Sequence, residues 1–298
     1  MGLAGWKIRL FLRPTGPVIL CWMRIVSLLP SATEIVAELG LAESLVGRSH
    51  ECQWPEGVRS VPVVSASRID STALSGRQID EAVRAAVKNG EALYAVDGDL
   101  LASLRPDVII TQDLCKVCAV SGADIADVGA KVVSLGPRTL SEVAESVRYL
   151  GRELGMADLG NTIAGIMMER IEAVRQGAQG NRRPRVFVAE WIDPPFACGH
   201  WIPEMVAAAG GDEVMGRAGE RSFPTTWDEV RAARPELVVA APCGFDEARS
   251  TLEAGKVDIG CPVVAVDADR YFVRPAPSLA LGVEILARIF HGAAVRRL

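Results

Sequence analysis

The chain has 298 residues, 49% of them hydrophobic, with 32 Lys and Arg against 37 Asp and Glu for a formal charge of −5. That length suits two lobes of roughly 120–150 residues better than one small core. The acidic balance without a basic run argues against a nucleic-acid partner, three histidines argue against a His-rich metal enzyme, and no uninterrupted apolar run reaches the ~18 residues of a membrane span.

Residues 1–22, MGLAGWKIRLFLRPTGPVILCW, hold apolar residues broken by Arg9, Arg13, Pro14 and Pro17, so no signal-peptide core of the usual length survives. The segment reads as a non-native or disordered extension, with the native start at Met23 and a cytoplasmic chain. The alternative is periplasmic export or a lipid anchor at Cys21, against which bulky Leu20 stands before the cysteine. Seven cysteines, an odd number, do not make a disulfide scaffold.

Arg24–Leu29 is a short branched apolar run bounded by Pro30, which predicts a buried strand. Ser31 and Glu34 have capping-box spacing for a helix ended by Gly40. A strand over Ser44–Arg48 leads into the loop HECQWPEG, and a polar stretch precedes an amphipathic helix over Arg77–Lys88. Leu100–Leu104 predicts a short helix and Asp107–Thr111 a strand running into QDLCKVCAVSG. A helix around Ala123–Gly129 and a strand at Lys131–Leu135 complete a first lobe over residues 23–137. Alternating strand and helix implies parallel pairing with crossovers.

Residues 138–180 change character, with helical patterns at Thr139–Leu154 and Ala157–Gln176 and no strand between them. The second places Ile163, Ile166, Met167, Ile171 and Val174 on one stripe, a rigid strut between lobes. The alternation restarts over residues 181–298. A strand at Arg185–Ala189 precedes the loop EWIDPPFACGHW, Ile202–Ala209 is helical, and Thr225 or Thr226 caps the next helix. Strands at Leu237–Ala241 and Val263–Val266 run into the loops PCGFDEA and DADRYFVRPAPS, and Ser278–His291 closes the chain as a helix. The fold class is therefore α/β: two Rossmann-like lobes with parallel sheets, joined by a long backbone helix.

Ligands of open parallel sheets bind beyond the carboxyl ends of the strands. Lobe one offers Pro30, Ser31, Ala32, Thr33, His50, Glu51, Trp54, Gln112 and Asp113 there. Lobe two offers Glu190, Trp191, Phe196, His200, Trp201, Phe245 and Tyr271. Aromatics are only 5% of the chain, yet most of those beyond residue 22 fall in these segments, which suits a flat apolar ligand. The alternative for each tryptophan is a plug that fills its own lobe. Cys52, Cys115, Cys118 and Cys243 also follow strands and could ligate zinc or an iron–sulfur group, with His50 or His200 nearby. Reduced thiols filling small spaces are the alternative. No G-x-G-x-x-G, G-x-x-x-x-G-K-[ST], G-x-S-x-G or H-E-x-x-H occurs, so no catalytic signature is present.

SLLPSATEIVAELGL after the first strand resembles the start of class III ABC-transporter substrate-binding proteins. RVFVAEWIDPPFACGHWIPEMVAAAGG resembles their cobalamin-binding members, and the HEC, QDLC-x-VCA and PCGF loops accompany the likeness from Met23 to His291. The resemblance implies a non-catalytic protein holding cobalamin or another corrinoid between two lobes, for import, trafficking or storage. It also implies aromatic walls from Trp54, Phe196 and Tyr271, and an ABC permease as partner. A siderophore or heme receptor, or a Cys-ligated metal, iron–sulfur or redox protein on the same fold, are the other readings.

Overall fold

The computed structural model describes residues 23–112 and 128–292. The first lobe runs β1 (Ile25–Ser27), α1 (Pro30–Glu38), β2 (Leu45–Arg48), β3 (Ser65–Ser67), α2 (Gly76–Asn89), β4 (Tyr94–Val96), α3 (Gly98–Leu104), β5 (Val108–Gln112) and β6 (Lys131–Leu135). Its main sheet is parallel, ordered β2-β1-β5-β6, while β3 and β4 form a separate antiparallel pair. Burial on both faces explains the unbroken apolar run of β1. Ile25 packs with α1 residues Ile35 and Val36, whereas Val26 faces Leu101 of α3 on the other side.

Pro30 opens α1 with Leu29 at the N-cap and no side-chain cap. The capping box expected at Ser31 and Glu34 does not form, because a proline already presets the first helical residue and Glu34 is engaged elsewhere. Ser75 and Gln78 do form such a box on α2. The helix expected around Ala123–Gly129 falls mostly outside the described residues.

Two helices follow, α4 (Leu140–Glu153) and α5 (Ala157–Gly177), crossing where Gly151 faces Gly160. A Cβ on Gly160 would stand 3.0 Å from the Gly151 Cα, so only glycine permits this approach. Along α5, Ala164 enters the core of the first lobe and Met167, Ile171 and Val174 enter that of the second. One helix thus shares its buried stripe between both lobes. Ile166, expected on that stripe, is 44% exposed.

The second lobe comprises β7 (Arg185–Ile192), β8 (Pro195–Ala197), α6 (Ile202–Ala208), β9 (Asp212–Glu213), β10 (Phe223–Pro224), α7 (Trp227–Ala232), β11 (Leu237–Ala240), α8 (Glu247–Ala254), β12 (Val263–Ala265), α9 (Ala268–Tyr271) and α10 (Leu279–His291). Its sheet is ordered β10-β8-β7-β11-β12, with β9 also paired to β7. Strands β9, β7, β11 and β12 are parallel, but β8 and β10 run antiparallel. The cause is local: β7 continues through Ile192 and turns at Asp193–Pro194 straight into β8, and a tight turn can join only antiparallel strands. Glu190, Trp191 and Phe196 consequently sit on a hairpin rather than in a loop.

Candidate functional site

The two lobes meet through two sets of side chains. On the side of α1 and α9, Glu34 is 2% exposed. Its carboxylate accepts from Ser278 N at 2.9 Å, Ser278 Oγ at 3.1 Å and Arg270 Nη1 at 2.8 Å. The Arg270 guanidinium lies 3.9 Å from the centroid of the Trp54 ring and 5.4 Å from that of Tyr271. Arg274 is paired with Asp269 and donates to the Glu51 carbonyl at 3.3 Å.

On the other side, the start of α2 rests on the β7–β8 hairpin and α8. Trp191 Nε1 donates to the Gly76 carbonyl at 3.1 Å, and Arg77 binds both carboxylate oxygens of Asp193 at 2.7 and 3.2 Å. Arg249 donates to the Leu74 carbonyl at 2.6 Å while stacking on Phe245, whose ring is 5.1 Å from that of Trp191. Arg84 stands 6.0 Å over Phe196. Trp54 from the first lobe and Tyr271, Phe196 and Phe245 from the second thus line the two sides of the lobe contact, each with a guanidinium over its ring.

Trp54, 42% exposed, offers the most open ring among these residues, and Trp191, Phe196 and Tyr271 are half-buried beside the seam. His50 Nε2 lies 3.3 Å from the Glu51 carboxylate and Nδ1 lies 3.0 Å from Ser65 Oγ. Its hydrogen bond to His50 holds the Glu51 carboxyl below the ordinary range. Pro30 and Gln112 are half-buried at the ends of α1 and β5.

Other expected lining residues are packing residues. Ala32 and Thr33 are fully buried and Ser31 nearly so. Thr33 Oγ1 hydrogen-bonds to Ser27 Oγ at 2.9 Å and to the Leu29 carbonyl at 3.1 Å. Burial thus withdraws all three from the expected binding face. Trp201 is 5% exposed, with Nε1 donating to the Phe272 carbonyl at 2.7 Å inside the core of lobe two. It plugs its lobe instead of walling a cleft. Phe245 is largely buried, with one face under Arg249.

Glu190 is half-buried in the second half of β7, its carboxylate accepting from Gly199 N at 3.3 Å, and desolvation pushes its carboxyl up to about 7. His200 adopts φ +50°, held by hydrogen bonds of its N to the Glu220 carbonyl and of Gly219 N to its own carbonyl. Burial first, then the charges of Arg138 and Arg221, disfavours protonation of its ring.

The shared cysteine site gains no support. Cys52 is fully buried with Sγ 3.8 Å from the Ser27 carbonyl, and burial pushes its thiol up, opposite to what a thiolate ligand needs. Cys243 is exposed. Among the described residues no group of three His, Cys, Asp or Glu could hold a metal ion; Asp113, Cys115 and Cys118 lie outside them.

Sequence reading missed Glu34, Arg77, Asp193, Arg249 and Arg270. Arg270 and Glu34 are separated by 236 residues, and no local pattern announces such a pair. Only the neighbouring aromatic in DADRYF hinted at a stacking arginine.

The sequence profile described as "Periplasmic binding protein" matches residues 25–259. The chain belongs to that family. The vitamin B12-binding protein of Vibrio cholerae serotype O1 is 23% identical over 225 residues, covering 72% of this chain and 69% of that protein. The vitamin B12-binding protein of Vibrio vulnificus is 21% identical over 222 residues, covering 74% and 71%. Among solved structures, the periplasmic heme-binding protein of Roseiflexus sp. RS-1 superposes with a TM-score of 0.67 at 20% identity, covering 91% of this chain and 99% of that one. The periplasmic vitamin B12 binding protein of Vibrio cholerae gives 0.61 at 19% identity, covering 92% and 98%. At such identities the structural likeness speaks for the fold.

A periplasmic binding protein is a non-catalytic substrate-binding protein of transport, so this chain is not an enzyme. The expected cytoplasmic location is overturned by the same finding, since the family and the solved relatives are periplasmic. The broken apolar run in residues 1–22 misled that expectation. Among the described residues, no helix is long and apolar enough to cross a membrane.

Proposed function

We propose that this periplasmic binding protein takes a flat metal–macrocycle chelate between its lobes, a corrinoid such as cobalamin, and presents it to an ABC permease. The observation that carries this reading is the open Trp54 ring at the lobe seam, capped by Arg270 from the opposite lobe. Tyr271 shares the Arg270 guanidinium with Trp54, and Trp191 and Phe196 add ring faces on the other side of the lobe contact. Such surfaces suit a wide planar ligand, because stacking adds to area burial without demanding matched hydrogen bonds. The names of the Vibrio relatives support a corrinoid.

A heme is the second reading, favoured by the heme-binding neighbours in fold. Titration with cyanocobalamin and, separately, hemin, followed by tryptophan fluorescence, tests both. Saturable quenching by the corrinoid at low micromolar concentration is the expected result. Quenching by hemin alone selects the second reading, and no saturation by either up to millimolar sinks both.

A further inference from the structure

Helix α2 belongs to the first lobe by sequence, yet it is anchored at both ends of its segment in different ways. Its base is the short β3–β4 ladder, where Ser67 faces Tyr94 and Ser65 faces Val96. Its tip lies on the second lobe, through Leu74, Gly76 and Arg77. Between base and tip the helix is amphipathic, but Gly76 is its only buried residue. Ile79, Ala82, Val83 and Ala86 are half-covered, and Val87 is 53% exposed. Few buried apolar contacts and an exposed ion pair at the tip make this excursion cheap to displace.

What the tip covers is specific. Trp191 gives its indole N–H to the Gly76 carbonyl, Arg84 sits over Phe196, and Arg249, bound to the Leu74 carbonyl, sits over Phe245. A Cβ on Gly76 would lie 3.7 Å from Trp191 Nε1, so the strap backbone itself touches the aromatic wall.

We propose that residues 65–96 form a strap that competes with the ligand for the aromatic face of the β7–β8 hairpin, so that its release sets the rate of ligand entry. The competition and its kinetic arm rest on the chelate-binding reading, whereas the covering of Trp191 by the strap does not. A site open for only part of the time binds with its intrinsic affinity reduced by that fraction.

The antiparallel register of Ser67 and Tyr94 allows the strap to be excised, with residues 68–93 replaced by Asn-Gly, a two-residue turn suited to such a ladder. Circular dichroism confirms folding, and stopped-flow quenching with cyanocobalamin and with hemin gives the association rate. We expect a rise of about tenfold after excision and a smaller rise in Arg77→Glu, which repels Asp193. A ligand-free arm compares acrylamide quenching of Arg77→Glu and the native protein, each against its own Trp191→Phe partner. Greater accessibility of Trp191 in Arg77→Glu is expected. Unchanged or slower association in the folded excision variant, or unchanged Trp191 quenching, overturns the strap. Failure of native and excised protein alike to bind either chelate sinks the chelate reading instead, and the acrylamide arm still decides the strap.

Discussion

Glu34 and Arg270 join the lobes through a charged hydrogen bond of 2.8 Å in which the two side chains are 3% and 18% exposed. Ser278 N and Oγ hold the same carboxylate from the start of α10. The pair therefore fixes three segments at once: α1, α9 and the entry to the closing helix. Removing one partner of such a pair leaves the other buried without its charge complement. Glu34→Ala should destabilise the fold by about 3–5 kcal/mol in urea unfolding, and Glu34→Gln by less, since the amide oxygen still accepts from Ser278. Equal midpoints for the native protein and Glu34→Ala would show that the pair ties nothing together.

Stability should fall with rising pH because of Glu190. Burial raises its folded-state pKa from 4.5 to about 7, with Glu213 nearby acting in the same direction. The folded state then binds the proton more tightly than the unfolded chain. Its stabilising contribution is complete below about pH 4.5 and is lost as pH rises through 7. Thermal melts between pH 5 and 8 should show Tm declining, and Glu190→Gln should flatten that slope. A slope unchanged in the variant would assign the proton elsewhere.

Trp54 and Trp201 should separate binding from stability. Trp54→Ala removes an exposed ring face and should weaken chelate binding by about 0.5–1.5 kcal/mol with little change in Tm. Trp201→Phe strips the donor from the buried Phe272 carbonyl and should cost about 1–3 kcal/mol of stability with binding retained. Calorimetric titration and thermal melts on both variants check this, and a reversed pattern would place Trp201, rather than Trp54, at the ligand.

The crossing of α4 and α5 offers a purely steric test. Ala at Gly160 brings its Cβ to 3.0 Å from the Gly151 Cα and 3.1 Å from the Val147 carbonyl oxygen, and since both neighbours are backbone atoms the helices must separate. Gly160→Ala should cost about 1–3 kcal/mol in chemical denaturation. Gly165, with open space around it, serves as control: Gly165→Ala should be neutral or slightly stabilising, as alanine favours the helix.

Much of the architecture was written locally. The apolar runs at Ile25, Val108, Val186 and Val238 predicted buried strands, because burial on both faces leaves no alternation to read. The long pattern from Ala157 marked the linking helix, since a stripe sustained for six turns has one satisfactory geometry. Elements with weak periodicity escaped: β3 and β4 are three residues each, and α8 carries only a modest apolar face.

The site was half legible. Strand ends pointed to Trp54, Trp191, Phe196 and Tyr271, and the fold does bring them to the lobe seam. The same rule drew in Ala32, Thr33 and Trp201, which face inward, because helix phase and packing decide which side a residue near a strand end presents. Apolar periodicity and the alternation of strand and helix determined the fold class, and the resemblance carried by SLLPSATEIVAELGL and RVFVAEWIDPPFACGHWIPEMVAAAGG pointed to the family to which the chain belongs. Tertiary structure alone decided which charges meet, as with Glu34 and Arg270 or Arg77 and Asp193. Hydrophobic patterns repeat along a segment and announce themselves, whereas one charge seeking one partner leaves no period to read.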